Sequence, residues 1–387
     1  MAIQRSQYIE QINSDFRMHP VVALLGPRQC GKTTLARSFV DHYLQAKPLS
    51  SVQIFDLENP IHVEQLKNPL LALQNLTGLI VIDEIQLVPE LFKILRVLVD
   101  DPKISQQYLI LGSASRDLIR QSSETLAGRI AYREMQPFNL YEAANLQQLW
   151  SRGGFPLAYL APRDADSISW RNNYIKTFLE RDIPNLGFNI SANTLRRFWI
   201  MLAHCHANIL NSADLGRSLG IANTTIKKYL DILVGTFMVR ELKPWHENIK
   251  KRQVKQSKVY IRDSGIYHAL LGILSYTGLQ ETPVLGASWE GFALEQIIQS
   301  QHVDPEDCYF WATHQGAELD LLIVKNGKKR AFEFKYMDAP KMTKSMYSAL
   351  ESLELENLTV IYPGKENYQL HERVYVVGLV AQRKGVV

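Results

Sequence analysis

The amino-acid sequence predicts a mixed α/β chain of several domains, beginning with a parallel β-sheet and its crossover helices. Short apolar runs at 21–25, 52–55, 79–82 and 108–111 have the length of buried strands, and stretches with helical spacing separate them. This alternation is typical of parallel sheets covered by helices. The chain has 387 residues, which is more than one compact core usually holds, because domains average roughly 100–200 residues.

The composition is that of an ordinary globular protein. Hydrophobic residues make up 46% and charged residues 21% of the chain, values that exclude a disordered, collagen-like or coiled-coil protein. Cys30, Cys205 and Cys308 lie far apart, which disfavours a disulfide scaffold and indicates a reducing compartment. No apolar run approaches the ~18 residues of a membrane span, and the N-terminus lacks a signal-peptide pattern. We therefore expect a cytoplasmic protein that does not bind a membrane.

Residues 26–33 match the complete G-x-x-x-x-G-K-S/T pattern of a phosphate-binding loop. In such loops, glycines allow backbone amides to close around phosphate oxygens, and the next helix directs its positive end at them. Lys32 is expected to contact the β- and γ-phosphates, while the Thr33 hydroxyl faces Mg²⁺. ATP and Mg²⁺ are therefore the predicted cofactors, and the predicted binding residues are Gly26, Pro27, Arg28, Gln29, Cys30, Gly31, Lys32, Thr33 and Thr34.

Polar residues also follow other strands of the predicted sheet, where sites on parallel sheets form. Asp83 is predicted to hold Mg²⁺, directly or through water, and Glu84 to orient the attacking water. Ser113 follows a further strand and is predicted to sense the γ-phosphate or the water, although a helix N-cap explains it equally well. Arg129 can stabilise transition-state charge in its own subunit or a neighbour, but a solvated arginine is the more ordinary interpretation.

These motifs occur in a familiar order together with the segments 126–129, 153–156 and 180–183. The chain thereby resembles bacterial and archaeal ATPases of the AAA superfamily that carry a C-terminal domain of unassigned function. The resemblance implies an AAA-type core, a winged helix-turn-helix and a C-terminal α/β domain similar to restriction endonucleases. It is compatible with a homo-oligomer, because AAA-type modules often complete their sites between subunits. The predicted boundaries are 1–145 for the ATPase domain, 146–194 for a helical connector, 195–270 for the winged helix and 271–387 for the C-terminal domain.

The middle of the chain has the pattern of a helix-turn-helix followed by a basic segment. Residues 213–221 and 223–230 predict the two helices, with an apolar stripe on their inner side. Between 240 and 262, eight Lys or Arg residues stand against two Glu residues, a local charge of +6. This surplus predicts contact with a DNA backbone, although a protein-binding winged helix with a solvated basic loop is an alternative. The predicted DNA contacts are Thr224, Thr225, Lys227, Lys228, Lys250, Lys251 and Arg252.

A β-hairpin is predicted in the C-terminal part, because Asn326-Gly327 lies between two apolar-rich runs. A two-residue turn there places Asp320 opposite Glu333, with Lys335 on the same face. Two carboxylates and a lysine in this arrangement can hold a second Mg²⁺ for phosphodiester hydrolysis. The pattern resembles the restriction-endonuclease-like fold, in which Glu290 or Glu295 can add a carboxylate. An inert, salt-bridged ribbon explains it equally well.

Three functional hypotheses follow from these patterns. The first is an ATPase that binds DNA, including branched or structured DNA, through its winged helix. The second is a Mg²⁺-dependent DNA endonuclease licensed by ATP. The third is a nucleotide-switched scaffold whose charged faces meet a protein partner. The complete phosphate loop beside the basic segment favours the first hypothesis.

Overall fold

The computed structural model describes residues 3–103, 105–113, 126–247 and 253–381. These residues form two compact units. The first comprises Met1–Pro137 with Gly235–Phe237, and the second comprises Phe138–Val234 with Met238–Val387. Within the described ranges, no helix combines the length and apolar character that crossing a bilayer requires.

The first unit contains a five-stranded sheet in the order β2-β3-β4-β1-β5, and every neighbouring pair in it is parallel. The predicted α/β core is therefore confirmed. Its strands are β1 Val21–Gly26, β2 Val52–Asp56, β3 Gly78–Asp83, β4 Gln106–Ser113 and β5 Ile130–Glu134. Its helices are α1 Ser6–Asp15, α2 Lys32–Ala46, α3 Pro60–Gln65, α4 Pro69–Gln74 and α5 Leu91–Asp100.

The core of this unit forms because the central strands are apolar along their whole length. All six residues of β1 are buried, as are five of the six in β3. Helix α5 adds buried side chains at 91, 92, 95 and 98, the spacing of one helical face. Because the strands are parallel, the carboxyl ends of β1, β3 and β4 meet at one edge of the sheet.

The second unit begins with helices, as the sequence predicts for the connector. A sharp turn joins the first two of them at Gly153, which has φ 80°. The Gly154 amide donates a hydrogen bond to Asp263 Oδ2 at 2.8 Å, and a Cβ on Gly153 would lie 2.2 Å from Asp263 Oδ1. Close approach therefore requires glycine here. These helices are α6 Leu146–Arg152, α7 Pro156–Tyr159, α8 Asp164–Thr177, α9 Ile183–Asn185 and α10 Ala192–His204, with a π-helical turn at Phe178–Asp182.

Helices α11 Ser212–Leu219 and α12 Asn223–Gly235 form the predicted helix pair. Gly220, with φ 69°, ends the first of them. A Cβ on Gly216 would lie 2.9 Å from the Ile221 carbonyl oxygen, so the turn packs closely against α11. Ile226 and Leu230 are buried on the inner side of α12.

A nine-stranded sheet runs through the rest of the second unit in the order β13-β14-β12-β11-β10-β9-β7-β8-β6. Strand β7 pairs with β9 through Lys243–Tyr309 and Pro244–Phe310, so the sheet continues across the boundary predicted at residue 270. The strands are β6 Asn208–Ile209, β7 Val239–Pro244, β8 Lys258–Ile261, β9 Cys308–Ala312, β10 Glu318–Lys325, β11 Lys328–Phe334, β12 Leu358–Tyr362, β13 Tyr368–His371 and β14 Val374–Gly378. The helices beside them are α13 Ser264–Leu270, α14 Tyr276–Gln280, α15 Leu285–Ser300 and α16 Lys344–Ser352.

Candidate nucleotide site and carboxylate cluster

The phosphate-binding loop connects the carboxyl end of β1 to the first turn of α2. Gln29 and Gly31 have positive φ values of 62° and 101°, and this curvature turns the loop back toward the helix. A Cβ on Gly26 would lie 2.1 Å from the Met135 carbonyl oxygen. The glycine at this position is therefore required by close packing of the backbone.

Lys32 directs its ammonium group into the mouth of this loop. Its Nζ donates hydrogen bonds to the carbonyl oxygens of Gly26 at 2.9 Å and Pro27 at 3.0 Å, and it lies 3.4 Å from Ser113 Oγ. The residue is 5% exposed. Among the described residues, the oxygens that accept hydrogen bonds from this buried ammonium are neutral, so it is well suited to accept a phosphate group as its counter-ion.

Thr33 and Asp83 meet beside the lysine. The Thr33 hydroxyl donates to Asp83 Oδ2 at 2.6 Å, and the Glu84 amide donates to Asp83 Oδ1 at 2.9 Å. Burial raises the pKa of Asp83 above its ordinary value, while the Thr33 hydrogen bond acts against that rise. A hydroxyl and a carboxylate in direct contact are oxygen ligands of the kind that Mg²⁺ prefers, so this pair fits the predicted ion.

Glu84 and Ser113 complete the polar edge. Glu84 has a left-handed backbone, with φ 55°, and its carboxylate accepts a hydrogen bond from the Gln86 side chain. Ser113 Oγ, which also faces Lys32, lies 3.4 Å from Glu84 Oε1. The serine hydroxyl therefore bridges the lysine and the carboxylate, although its sensing role stays a prediction.

Two other loop residues are held by protein contacts, and one supporting residue was missed by sequence reasoning. Arg28 forms an ion pair with Glu58, and the buried Cys30 faces the Met135 carbonyl oxygen. Arg5 donates to the carbonyl oxygens of Cys30 at 3.3 Å and Gln136 at 2.8 Å. A single arginine far upstream of the loop gives no sequence signal for this supporting contact.

Arg129 does not lie at this edge. It immediately precedes β5, and its carbonyl oxygen accepts a hydrogen bond from the Val21 amide at the start of β1. Because β1 and β5 are parallel, Arg129 lies at the end of the sheet opposite the phosphate loop. Its guanidinium pairs with Asp100, with Nη2 and Oδ2 3.1 Å apart. The prediction that Arg129 acts on a nucleotide in its own subunit is therefore wrong, and its role toward a neighbour stays a prediction.

The C-terminal hairpin has the predicted register. Leu321 pairs with Phe332 and Lys325 with Lys328, and positive φ values at Asn326 and Gly327 close a two-residue turn. Asp320 and Glu333 therefore face each other and share a hydrogen bond. Both are almost completely buried, so these two carboxylates do not lie on a solvated face.

Asp320, Glu333, Glu290 and Glu318 form a carboxylate cluster, and two lysines neutralise it. Lys335 Nζ lies 2.9 Å from Glu333 Oε2 and 3.9 Å from Asp320 Oδ2. Lys258, from β8, lies 3.5 Å from Asp320 Oδ1. It also contacts Glu290 and Glu318. Sequence reasoning counted Lys258 as part of a basic segment and missed its place in this cluster.

The pKa values of the cluster reflect burial and crowding of like charges. Burial, and then the Asp320 charge, raise the pKa of Glu333 well above its ordinary value. The same two causes raise the pKa of Glu290 to about 7. For Asp320, burial is outweighed by Lys258 and Lys335, which hold its pKa below its ordinary value. Cationic neighbours are therefore what keeps Asp320 ionised.

Glu295 is not part of this cluster, so its alternative role as an added carboxylate is wrong. Its Oε2 accepts a hydrogen bond from Arg240 Nη2 at 2.8 Å, and Arg262 Nε lies 3.6 Å from the same oxygen. All three side chains are buried. Together with Lys258, three of the eight cations of the basic segment are thus buried in ion pairs.

The helix pair presents most of its predicted contact residues to solvent. Thr224, Lys227 and Lys228 are exposed on α12, and Thr225 is half-buried. Thr34 is exposed at the start of α2 in the first unit. Lys250, Lys251 and Arg252 lie outside the described residues.

Comparisons with known proteins agree with the ATPase core. A family model described as an AAA domain matches residues 18–144. Two models described as domains of unknown function, DUF8612 and DUF4143, match residues 143–277 and 285–381. The fold, the phosphate loop and the first match define a P-loop ATPase of the AAA type.

Two relatives match nearly the whole chain. Uncharacterized proteins of Mycobacterium tuberculosis and Mycobacterium bovis are each 45% identical over 379 residues, covering 97% of this chain and 84% of the relative. The solved structure of the Walker-type ATPase of Pyrococcus abyssi is 14% identical, with a TM-score of 0.49, and covers 70% of this chain and 96% of that one. The chain belongs to the family of P-loop AAA-type ATPases with a C-terminal domain of unknown function that includes the mycobacterial proteins.

Proposed function

We propose that this chain hydrolyses ATP at the loop site and binds DNA through the exposed face of α12. Lys32 binds the phosphates, Thr33 and Asp83 hold Mg²⁺, and Glu84 orients the attacking water. Bound Mg²⁺ supplies neutralisation of phosphate charge. The contact between Thr33 and Asp83 supports this assignment, because it joins the phosphate loop to the end of β3, and these two residues are 50 positions apart in the sequence.

The observation that carries the DNA half is the two-sided character of α12. Ile226 and Leu230 are buried, while Thr224, Lys227 and Lys228 are exposed. The second helix of a helix-turn-helix contacts DNA with its N-terminal residues. Lysine ammonium groups there would contact phosphates, and such contacts position the protein without reading sequence.

The basic segment supports DNA binding less than its charge count indicates. Arg240, Lys258 and Arg262 are buried in ion pairs, so their charges are not available to phosphates. Lys243 and Lys255 are exposed. The recognition-helix lysines therefore carry the proposal, and the segment adds at most its solvent-facing cations.

The test is ATP turnover and DNA binding measured with single-stranded, duplex and four-way-junction DNA. Lys32→Ala should abolish turnover. Lys227→Ala with Lys228→Ala should weaken binding and lower the salt slope of log K by about 2, since each lysine releases roughly one counter-ion. Absence of DNA binding at low salt, or a pull-down partner that survives nuclease treatment, would instead favour the protein-scaffold alternative.

The matched control removes two exposed lysines from elsewhere in the second unit, Lys341 and Lys344. It lowers the net charge by the same amount but leaves α12 intact. An equal loss of affinity in this control would show that overall charge, rather than the helix face, determines binding. That result would remove the DNA half of the proposal.

The second candidate, a Mg²⁺-dependent DNA endonuclease licensed by ATP, is supported by the pairing of Asp320 with Glu333. It requires metal-dependent cleavage that Asp320→Ala abolishes. However, among the described residues no three carboxylate, histidine or cysteine side chains are arranged to hold a metal ion. The cluster as it stands therefore does not fit the ion, and intact DNA of all three forms after long incubation would refute this candidate.

A further inference from the structure

The carboxylate cluster already contains a cation from another part of the chain. Lys258 belongs to β8, which follows the helix pair and β7 in the chain, and its side chain is 1% exposed. Its Nζ contacts Glu290 at 3.3 Å and Asp320 at 3.5 Å, and it also contacts Glu318. Lys258 thus contacts three of the four acids of the cluster, all except Glu333.

The position of this ammonium is fixed by strand pairing on both sides. Lys258 pairs with Leu242 of β7 and with Ile209 of β6. Two residues further along β8, the Tyr260 hydroxyl donates to Glu290 Oε1 at 2.8 Å. Removing the lysine from the cluster therefore requires β8 to separate from β6 and β7. Rotation of the side chain alone would leave a buried charge without acidic partners.

We propose that Lys258 is the resident cation of the cluster and excludes a divalent ion as long as β8 stays paired. Mg²⁺ requires oxygen ligands at roughly 2.0–2.1 Å in octahedral geometry. Asp320 Oδ1 faces Lys258, and Oδ2 accepts the Phe334 amide at 3.0 Å. A second cation entering beside the ammonium would meet strong repulsion in a buried site.

The consequence is a coupling between the helix pair and the cluster. In the chain, β7 follows α12 and β8 follows β7. A displacement of β7 and β8 would therefore remove Lys258 from the acids. Metal occupancy would then depend on the position of β8. This inference concerns which cation the cluster holds, and it does not require the cluster to cleave DNA.

The test measures Mn²⁺ binding to the full chain without nucleotide, by calorimetry and by electron paramagnetic resonance of free Mn²⁺. All proteins carry Asp83→Asn, which removes the carboxylate proposed to hold Mg²⁺ at the nucleotide site. With Lys258 present, the isotherm should be the same with and without Asp320→Asn. Lys258→Met should create one additional Mn²⁺ site per chain, and Asp320→Asn should remove it again.

Lys255→Met is the matched control, because Lys255 lies in the same segment but is exposed. It should create no site. The inference is overturned if the chain with Lys258 binds Mn²⁺ in a manner that Asp320→Asn abolishes, or if folded Lys258→Met gains no site. If Lys258→Met does not fold, the inference is tested with the chain that keeps Lys258. An Asp320-dependent Mn²⁺ site in that chain contradicts the inference, and the absence of such a site supports the inference. Absence of DNA cleavage in every variant would refute only the endonuclease candidate, because the readout here is metal occupancy.

Discussion

The buried ion pair between Arg240 and Glu295 allows a quantitative prediction. Glu295→Gln removes a charge that serves two guanidinium groups, Arg240 at 2.8 Å and Arg262 at 3.6 Å. Burial opposes ionisation of Glu295, but the two arginines outweigh it and hold its pKa below the ordinary value. The carboxylate is therefore charged at neutral pH, and the variant removes the negative charge that faces these two buried cations.

Breaking a buried pair in this way costs about 3–5 kcal/mol. For units of 150–250 residues, each kcal/mol lowers the midpoint by about 2–4 °C, so the transition of the second unit should fall by roughly 6–20 °C. The assay is differential scanning calorimetry at pH 7. Arg240→Met together with Glu295→Gln should be less destabilised than the sum of the two single variants, because removing one guanidinium reduces the uncompensated charge.

The control is Asp166→Asn in the solvent-exposed pair with Arg163. The substitution has the same chemistry, but solvent screens the pair, so no measurable shift is expected. A shift for Glu295→Gln that equals the control would refute the reasoning.

Three further predictions concern the phosphate loop, the end of β4 and two buried histidine rings. Gly26→Ala should weaken binding of a fluorescent ATP analogue at least tenfold, since its Cβ would lie 2.1 Å from the Met135 carbonyl oxygen; affinity within twofold of the parent would contradict this. Ser113→Ala should lower kcat for ATP by roughly ten- to a hundredfold, because its hydroxyl bridges Lys32 and Glu84. Loss of ATP affinity with unchanged kcat would show a different role. Burial lowers the pKa of His206 to about 3 and of His268 to about 4. Because the unfolded chain binds protons below pH 6.5 while the folded rings stay neutral, these two rings should lower the free energy of unfolding by about 3–4 kcal/mol from pH 7.5 to 5, whereas the raised pKa values of Glu290 and Glu333 act in the opposite direction. NMR titration of the two rings in the folded chain checks this, and a midpoint near pH 6.5 would show that the rings titrate normally.

The parts of the fold that the sequence predicts are those governed by local pattern. Apolar runs identify β1 and β3, which end at Gly26 and Asp83. Asn326 and Gly327 specify the hairpin register, because only residues that tolerate positive φ close a two-residue turn. Each of these signals lies within a few residues of the structure that it specifies.

The remaining features arise from partners that are distant in sequence. Lys258 meets Glu318 across 60 residues and Arg240 meets Glu295 across 55. A lysine in a basic run is ordinarily solvated, so its sequence context indicates exposure, whereas burial depends on the acids supplied by α15 and β10. The β7–β9 pairing is equally invisible, since two paired residues leave no periodic signal.

The shared nine-stranded sheet also limits how the chain can be divided. A fragment beginning at residue 271 would lack β7, so β9 would present an unpaired edge along Tyr309 and Phe310. It would also lose Lys258, leaving four acids with Lys335 as their remaining nearby lysine. An open strand edge promotes aggregation, and unbalanced buried acids oppose folding. The C-terminal segment is thus not a portable module, and grafting it onto another protein would require carrying the strands of its neighbour along.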